Sequence, residues 1–139
     1  MSGRGRYDDD GSVLLLTLGY ALLALALTFV CVCATDLYLA QTRLDSLADA
    51  AALAGADGFT LVVDGSDALA ELSDPQVQEQ AAAVIEVASE TVTLVSATAS
   101  ENLTARVTIT APWHPPLLSL FVPDGVELRA TATSRTAVR

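Results

Sequence analysis

No residue from Ser12 to Ala34 carries a charge, and this run constrains the fold more than any other feature of the chain. As a helix rising 1.5 Å per residue it would be about 34 Å long, enough to cross a hydrocarbon core of about 30 Å. Its eight Leu, three Val and Phe29 each favour insertion by about 0.3–0.6 kcal/mol and together contribute roughly 4–7 kcal/mol. Ser12, Thr17, Gly19 and Thr28 take back only part of that. Residues 12–34 therefore read as a transmembrane helix, with the membrane as first partner. Arg4 and Arg6 precede the run, and the next basic residue is Arg43. Flanking Arg and Lys favour the cytoplasmic side, whereas Asp8, Asp9 and Asp10 weigh little in that bias. Residues 1–11 are thus expected to be a cytoplasmic tail, unstructured through residue 10, and everything beyond the span extracytoplasmic. A cleaved secretory signal is the competing reading, with Val32 and Ala34 as the small residues before a cut. Signal h-regions are about 7–15 residues long and do not follow an acidic segment. Cys31 and Cys33 are the only cysteines. They are too close to bridge each other easily and read as small apolar residues in lipid; an interchain disulfide or acylation is the alternative.

The helix is expected to continue past the bilayer. Leu37, Leu44 and Ala51 form one heptad series, and Ala40, Leu47 and Ala54 form the other. Asp36, Gln41, Arg43, Asp45 and Asp49 lie off that seam. Such a/d spacing suits a helix packing along another helix or a domain. The small residues at its far end permit close approach, and Gly55 reads as a C-terminal stop. An extracytoplasmic extension over 35–56 follows.

Residues 57–139 read as a small α+β domain. Phe59–Val63 suits a short strand or connector ending near Asp64-Gly65, and Ser66–Leu72 a brief helical turn. Asp74-Pro75 opens a helix, with Asp as cap and Pro at the first helical position, whose apolar face is Val77, Ala81, Val84, Ile85 and Ala88. From residue 90 the period changes to two. Val92 and Leu94, then Leu103, Ala105, Val107 and Ile109, then Val126, Leu128, Ala130 and Ala132 each alternate with polar residues. These are three strands with one buried face apiece. The expected fold class is α+β and membrane-anchored: a long N-terminal helix, transmembrane then amphipathic, followed by a helix and a small three-stranded antiparallel sheet. A domain this small rarely gains more than about 3–5 kcal/mol from its own core, so the upper half of the long helix or a neighbouring subunit is expected to complete it.

The net charge is -10, with no Lys, which excludes a nucleic-acid partner because phosphate backbones are bound by neutralising them. Residues 36–139 hold 14 of the 17 carboxylates and five of the seven Arg, a solvated acidic surface. His114 is the lone histidine and has no second His or outer Cys to help ligate zinc. No G-x-S-x-G turn or glycine-rich phosphate loop occurs. No catalytic, cofactor-binding or metal site is expected, and the protein reads as non-enzymatic. Asn102-Leu103-Thr104 matches a glycosylation sequon but sits in an expected strand. The 111–125 loop holds Pro112, Pro115, Pro116 and Pro123. Its Leu117, Leu120 and Phe121 either plug the end of the sheet or form an exposed contact for a partner or the membrane surface.

Asp10-Gly11-Ser12-Val13 before the apolar run, and Leu44-Asp45-Ser46-Leu47-Ala48-Asp49-Ala50-Ala51-Ala52-Leu53-Ala54-Gly55-Ala56 after it, resemble the TadE/TadG-like proteins of bacterial Flp (tight adherence) pilus systems. The closing Leu128-Arg129-Ala130-Thr131-Ala132-Thr133-Ser134 resembles their alternating end, and the Lys-free, Ala- and Arg-rich composition suggests the actinobacterial type. The resemblance implies a pilin-like subunit or assembly factor of a type IVb pilus or related secretion apparatus. Its partners would be other pilus or secretion subunits packed through the N-terminal helix, in a homo- or hetero-oligomer. Some members are cut by a prepilin peptidase after a Gly that precedes the apolar run, the place of Gly11-Ser12 here. Processed members carry Glu five residues into the mature chain, where this sequence has Leu16, so a membrane-resident assembly role fits better than entry into a fibre. The alternative is a single-pass membrane protein with an extracytoplasmic sensing or binding domain.

Overall fold

The computed structural model describes residues 6–64, 67–100, 104–116 and 118–135. The chain divides into two units, Met1–Asp36 and Leu37–Arg139. A single helix, α1, covers Arg6–Asp57 and so contributes to both. It begins six residues ahead of the apolar run, inside the segment expected to be an unstructured tail. Asp8, Asp9 and Asp10 fall in its first turns. In the first unit every large apolar side chain from Val13 to Leu27 is exposed. With a mean hydropathy of 2.4 over its most apolar window, this helix fits a membrane anchor.

The second unit is built from the rest of α1, a hairpin of β1 (Thr60–Asp64) and β2 (Asp67–Glu71), helix α2 (Asp74–Ala88), and strands β3 (Thr93–Ser100), β4 (Thr104–Trp113) and β5 (Val126–Arg135). The three-stranded antiparallel sheet has the order β3-β4-β5, and with α2 and the long helix it is the architecture implied by the sequence periods. The segment 66–72 departs from expectation: Asp67–Glu71 is a strand, paired from Asp64↔Asp67 to Thr60↔Glu71. A segment that short cannot repay helix nucleation, whereas pairing with β1 satisfies its backbone.

The α2 cap also differs by one residue. Ser73 is the N-cap, and the Gln76 side chain accepts hydrogen bonds from Ser73 N (3.1 Å) and Ser73 Oγ (2.9 Å). Asp74, freed from capping, accepts the Ala99 amide on β3 at 2.6 Å and ties helix to sheet. In β3 the ladder slips between Leu94 and Ser96. Such a bulge inserts one residue and reverses the inward phase, so Leu94 is followed into the core by Ala97 and Ala99 rather than Ser96 and Thr98. Leu103 lies outside the described residues.

The core gathers Leu44, Ala48, Ala51, Ala52 and Ala56 of α1, Val77, Ala81 and Ile85 of α2, and Ala97, Ala105, Val107, Ile109, Ala130 and Ala132 of the sheet. Gly55 is not a helix stop. It lies inside α1 where a Cβ would stand 2.9 Å from Val77 Cγ1 and 3.5 Å from Ala105 Cβ, and its missing side chain lets α1 approach α2 and β4. At the opposite end of the unit, Ala40, Leu44 and Leu47 border one groove with Ala88, Trp113 and Leu128. Both α2 and β4 therefore run antiparallel to α1, away from Gly55 and toward Leu37.

Candidate functional site

The helical segment 37–56 is the first candidate. Of the expected seam, Leu44 and Ala51 are buried, Ala40, Leu47 and Ala54 are half-buried, and Leu37 is 36% exposed. The buried positions Leu44, Ala48, Ala51, Ala52, Gly55 and Ala56 follow the i, i+4, i+7, i+8 spacing of one straight-helix face. That face is covered by α2 and the sheet of the same chain. Ala48, Ala52, Gly55 and Ala56 were missed as members because a strict heptad reading drifts around a 3.6-residue helix.

A groove of about 340 Å³ opens where α1, the end of α2 and the sheet meet, lined by Ala40, Arg43, Leu44, Leu47, Ala88, Ser89, Val92, Ala111, Pro112, Trp113 and Leu128. Arg43 is exposed and forms no hydrogen bond or ion pair with the described residues. An apolar trough with one cation at its rim can seat an apolar group that carries a negative end. Sequence reasoning placed Arg43 off the seam and Trp113 in the loop. Trp113 in fact ends β4, and Pro112 fits within that strand because β3 begins only opposite Thr110, which leaves an open edge at Pro112.

The connection from β4 to β5 is the third candidate. It is shorter than the sequence suggests, residues 114–125. Pro115 is buried, but Leu120 (89% exposed) and Phe121 (80%) do not plug the sheet; Leu117 lies outside the described residues. The backbone holds them outward, with Phe121 N and Val122 N donating to Leu118 O at 2.9 and 3.0 Å. Gly125 closes the loop at φ 69, and a Cβ there would meet Trp113 O at 2.7 Å and the His114 ring at 3.1 Å. His114 is exposed.

In the first unit, Gly11 and Ser12 are exposed residues within α1. Cys31 and Cys33 are free thiols, two residues apart on the same helix. Asn102 of the sequon lies outside the described residues.

A family model described as "Putative Flp pilus-assembly TadE/G-like" matches residues 11–58, from the glycine before the apolar run to the turn that ends α1. No curated protein and no solved structure gives a match.

Proposed function

We propose that this chain is a non-enzymatic, membrane-anchored component of an Flp-type pilus-assembly or related secretion apparatus, acting by helix packing in and above the membrane. The family match over residues 11–58 carries the reading, because it takes in both the apolar run and the small-residue stretch that packs the outer unit. The exposed Leu and Val side chains of the first unit support it, since in lipid such a surface is available to neighbouring helices. The N-terminus is cytoplasmic and residues 36–139 are extracytoplasmic, with Arg4 and Arg6 setting the orientation. The chain stays in the membrane uncut at Gly11-Ser12, because Leu16 replaces the acidic residue of processed members. The groove beside Arg43 favours a second reading, an outer sensing or binding domain for a small anionic ligand.

Co-purification of the detergent-extracted chain with the secretion ATPase and polytopic platform proteins of its own genome tests the main reading. A chain that recovers none of them, while its deletion leaves surface fibres unchanged, refutes the assembly role. Intact mass tests processing: full length is expected, and loss of residues 1–11 would place the chain among the cleaved subunits.

A further inference from the structure

β4 passes Gly55 at Ala105 and ends at Trp113 in the groove with Ala40 and Arg43. The 114–125 loop therefore leaves the sheet at the end of the second unit where the chain arrives from its apolar run. Leu37, the first residue of that unit, follows Ala34 by three positions in the sequence.

The loop is chemically distinct from the rest of the unit. No Asp, Glu, Lys or Arg occurs from Val107 to Pro123, and that uncharged stretch is the longest in residues 36–139. Leu118, Leu120 and Phe121 stand exposed at its tip on hydrogen-bonded turns. A shaped apolar tip held in water signals a covered surface. A second copy is a poor cover, because it brings the same excess of carboxylates. Lipid is a good one: the carboxylates stay in solvent while an uncharged tip with an aromatic ring enters the interface.

We propose that Leu118, Leu120 and Phe121 form a second membrane contact, inserting into the headgroup–acyl boundary of the leaflet from which the outer unit emerges. This rests on residues 12–34 spanning that membrane. The test uses the full chain with Cys31→Ala and Cys33→Ala, in phosphatidylcholine–phosphatidylglycerol vesicles that contain lipid spin-labelled near the headgroup end of its acyl chain. A fluorophore is placed in turn at Leu23→Cys in the span, Leu120→Cys at the tip, and Gln78→Cys, which is exposed beside Val77 at the Gly55 end. Quenching at the tip several-fold above that at position 78, and lost when Phe121→Asp is added, is the expected result. Quenching at position 23 with the tip no different from position 78 overturns the tip contact and leaves the span standing. No quenching at position 23 overturns the span and the contact with it. Tip shielding that rises with protein-to-lipid ratio, without lipid quenching, identifies a second copy as the cover and also overturns the proposal.

Discussion

Gly55→Ala sets two effects of similar size against each other, and the structure decides between them. In a helix interior, Ala is favoured over Gly by about 0.8–1 kcal/mol. The new Cβ, however, would stand 2.9 Å from Val77 Cγ1, where carbon contacts are ordinarily about 3.5–4.0 Å. Val77 cannot easily yield. It is fully buried and β-branched, with restricted χ1, so the neighbouring backbones must shift. Overpacking of this kind costs about 1–3 kcal/mol, and the net expectation is a loss of about 1 kcal/mol. Val77→Ala alone should cost roughly 1.5–3 kcal/mol through lost burial and a cavity. In that background the obstructing methyl is gone, and Gly55→Ala should stabilise by up to about 1 kcal/mol. The double-mutant cycle therefore predicts a coupling of about 2 kcal/mol. Denaturant unfolding of the full chain in detergent, followed by fluorescence of its single Trp, reads the second unit alone, whereas helical ellipticity would be dominated by α1. Gly55→Ala stabilising by the same amount in both backgrounds would refute the close approach of α1 to α2.

The β3 bulge predicts that Ala97→Asp destabilises the unit by about 3 kcal/mol or more, as a buried unpaired charge does, while Ser96→Asp changes it by less than about 0.5 kcal/mol. Uninterrupted alternation from Leu94 predicts the reverse, and the same fluorescence assay separates the two. Gly125→Ala should cost about 2 kcal/mol or more, since positive φ and the 2.7 Å approach to Trp113 O both oppose a side chain; a neutral effect would show that the loop closes differently. On α1, Asp at Leu44 should unfold the unit, Asp at Leu47 should weaken it by about 1–3 kcal/mol, and Asp at Leu37 should be nearly neutral; equal protease resistance in all three would remove the basis for the packed face. Crosslinks to membrane partners should form from cysteines placed between Val13 and Val32 and not from Ala48→Cys or Ala52→Cys, and efficient crosslinking at 48 or 52 in folded protein would contradict that expectation.

What could be read from the sequence tracks how local its physical cause is. The apolar run needs no tertiary information, because absence of charge over a bilayer's thickness is itself the signal. The strands β4 and β5 were legible because every second residue from Ala105 to Ile109 and from Leu128 to Ala132 is apolar. β3 was only half legible, since the bulge at Val95 is fixed by its pairing with β4 and leaves no mark in an Ala- and Thr-rich pattern. β2 was missed because Asp67–Glu71 becomes a strand only through its partner β1. In sequence Asp74 looks like the α2 cap, because the tie to the Ala99 amide is invisible until the sheet is in place. The groove was invisible for the same reason: Arg43, Trp113 and Leu128 are distant in sequence, and only the antiparallel run of β4 against α1 brings them together.

The composition of α1 divides its work. Between Val13 and Val32 the bulky apolar residues surround the helix on all sides, as suits a helix in lipid. Between Thr42 and Ala56 the buried face is Ala and Gly apart from Leu44, while Thr42, Asp45, Ser46 and Asp49 occupy the others. Small residues let a sheet and a second helix come close, and here the chain's own β4 and α2 take that place. A partner helix docking on the same face would have to displace fully buried side chains of α2 and the sheet, Val77 and Ala105 among them. Opening that core would cost most of the roughly 3–5 kcal/mol that a core of this size supplies. On the proposed assembly role, helix packing with partners falls to the apolar half of α1, where in lipid it would exchange one apolar neighbour for another and unfold nothing. The small-residue half serves to pack the outer unit's own sheet and second helix.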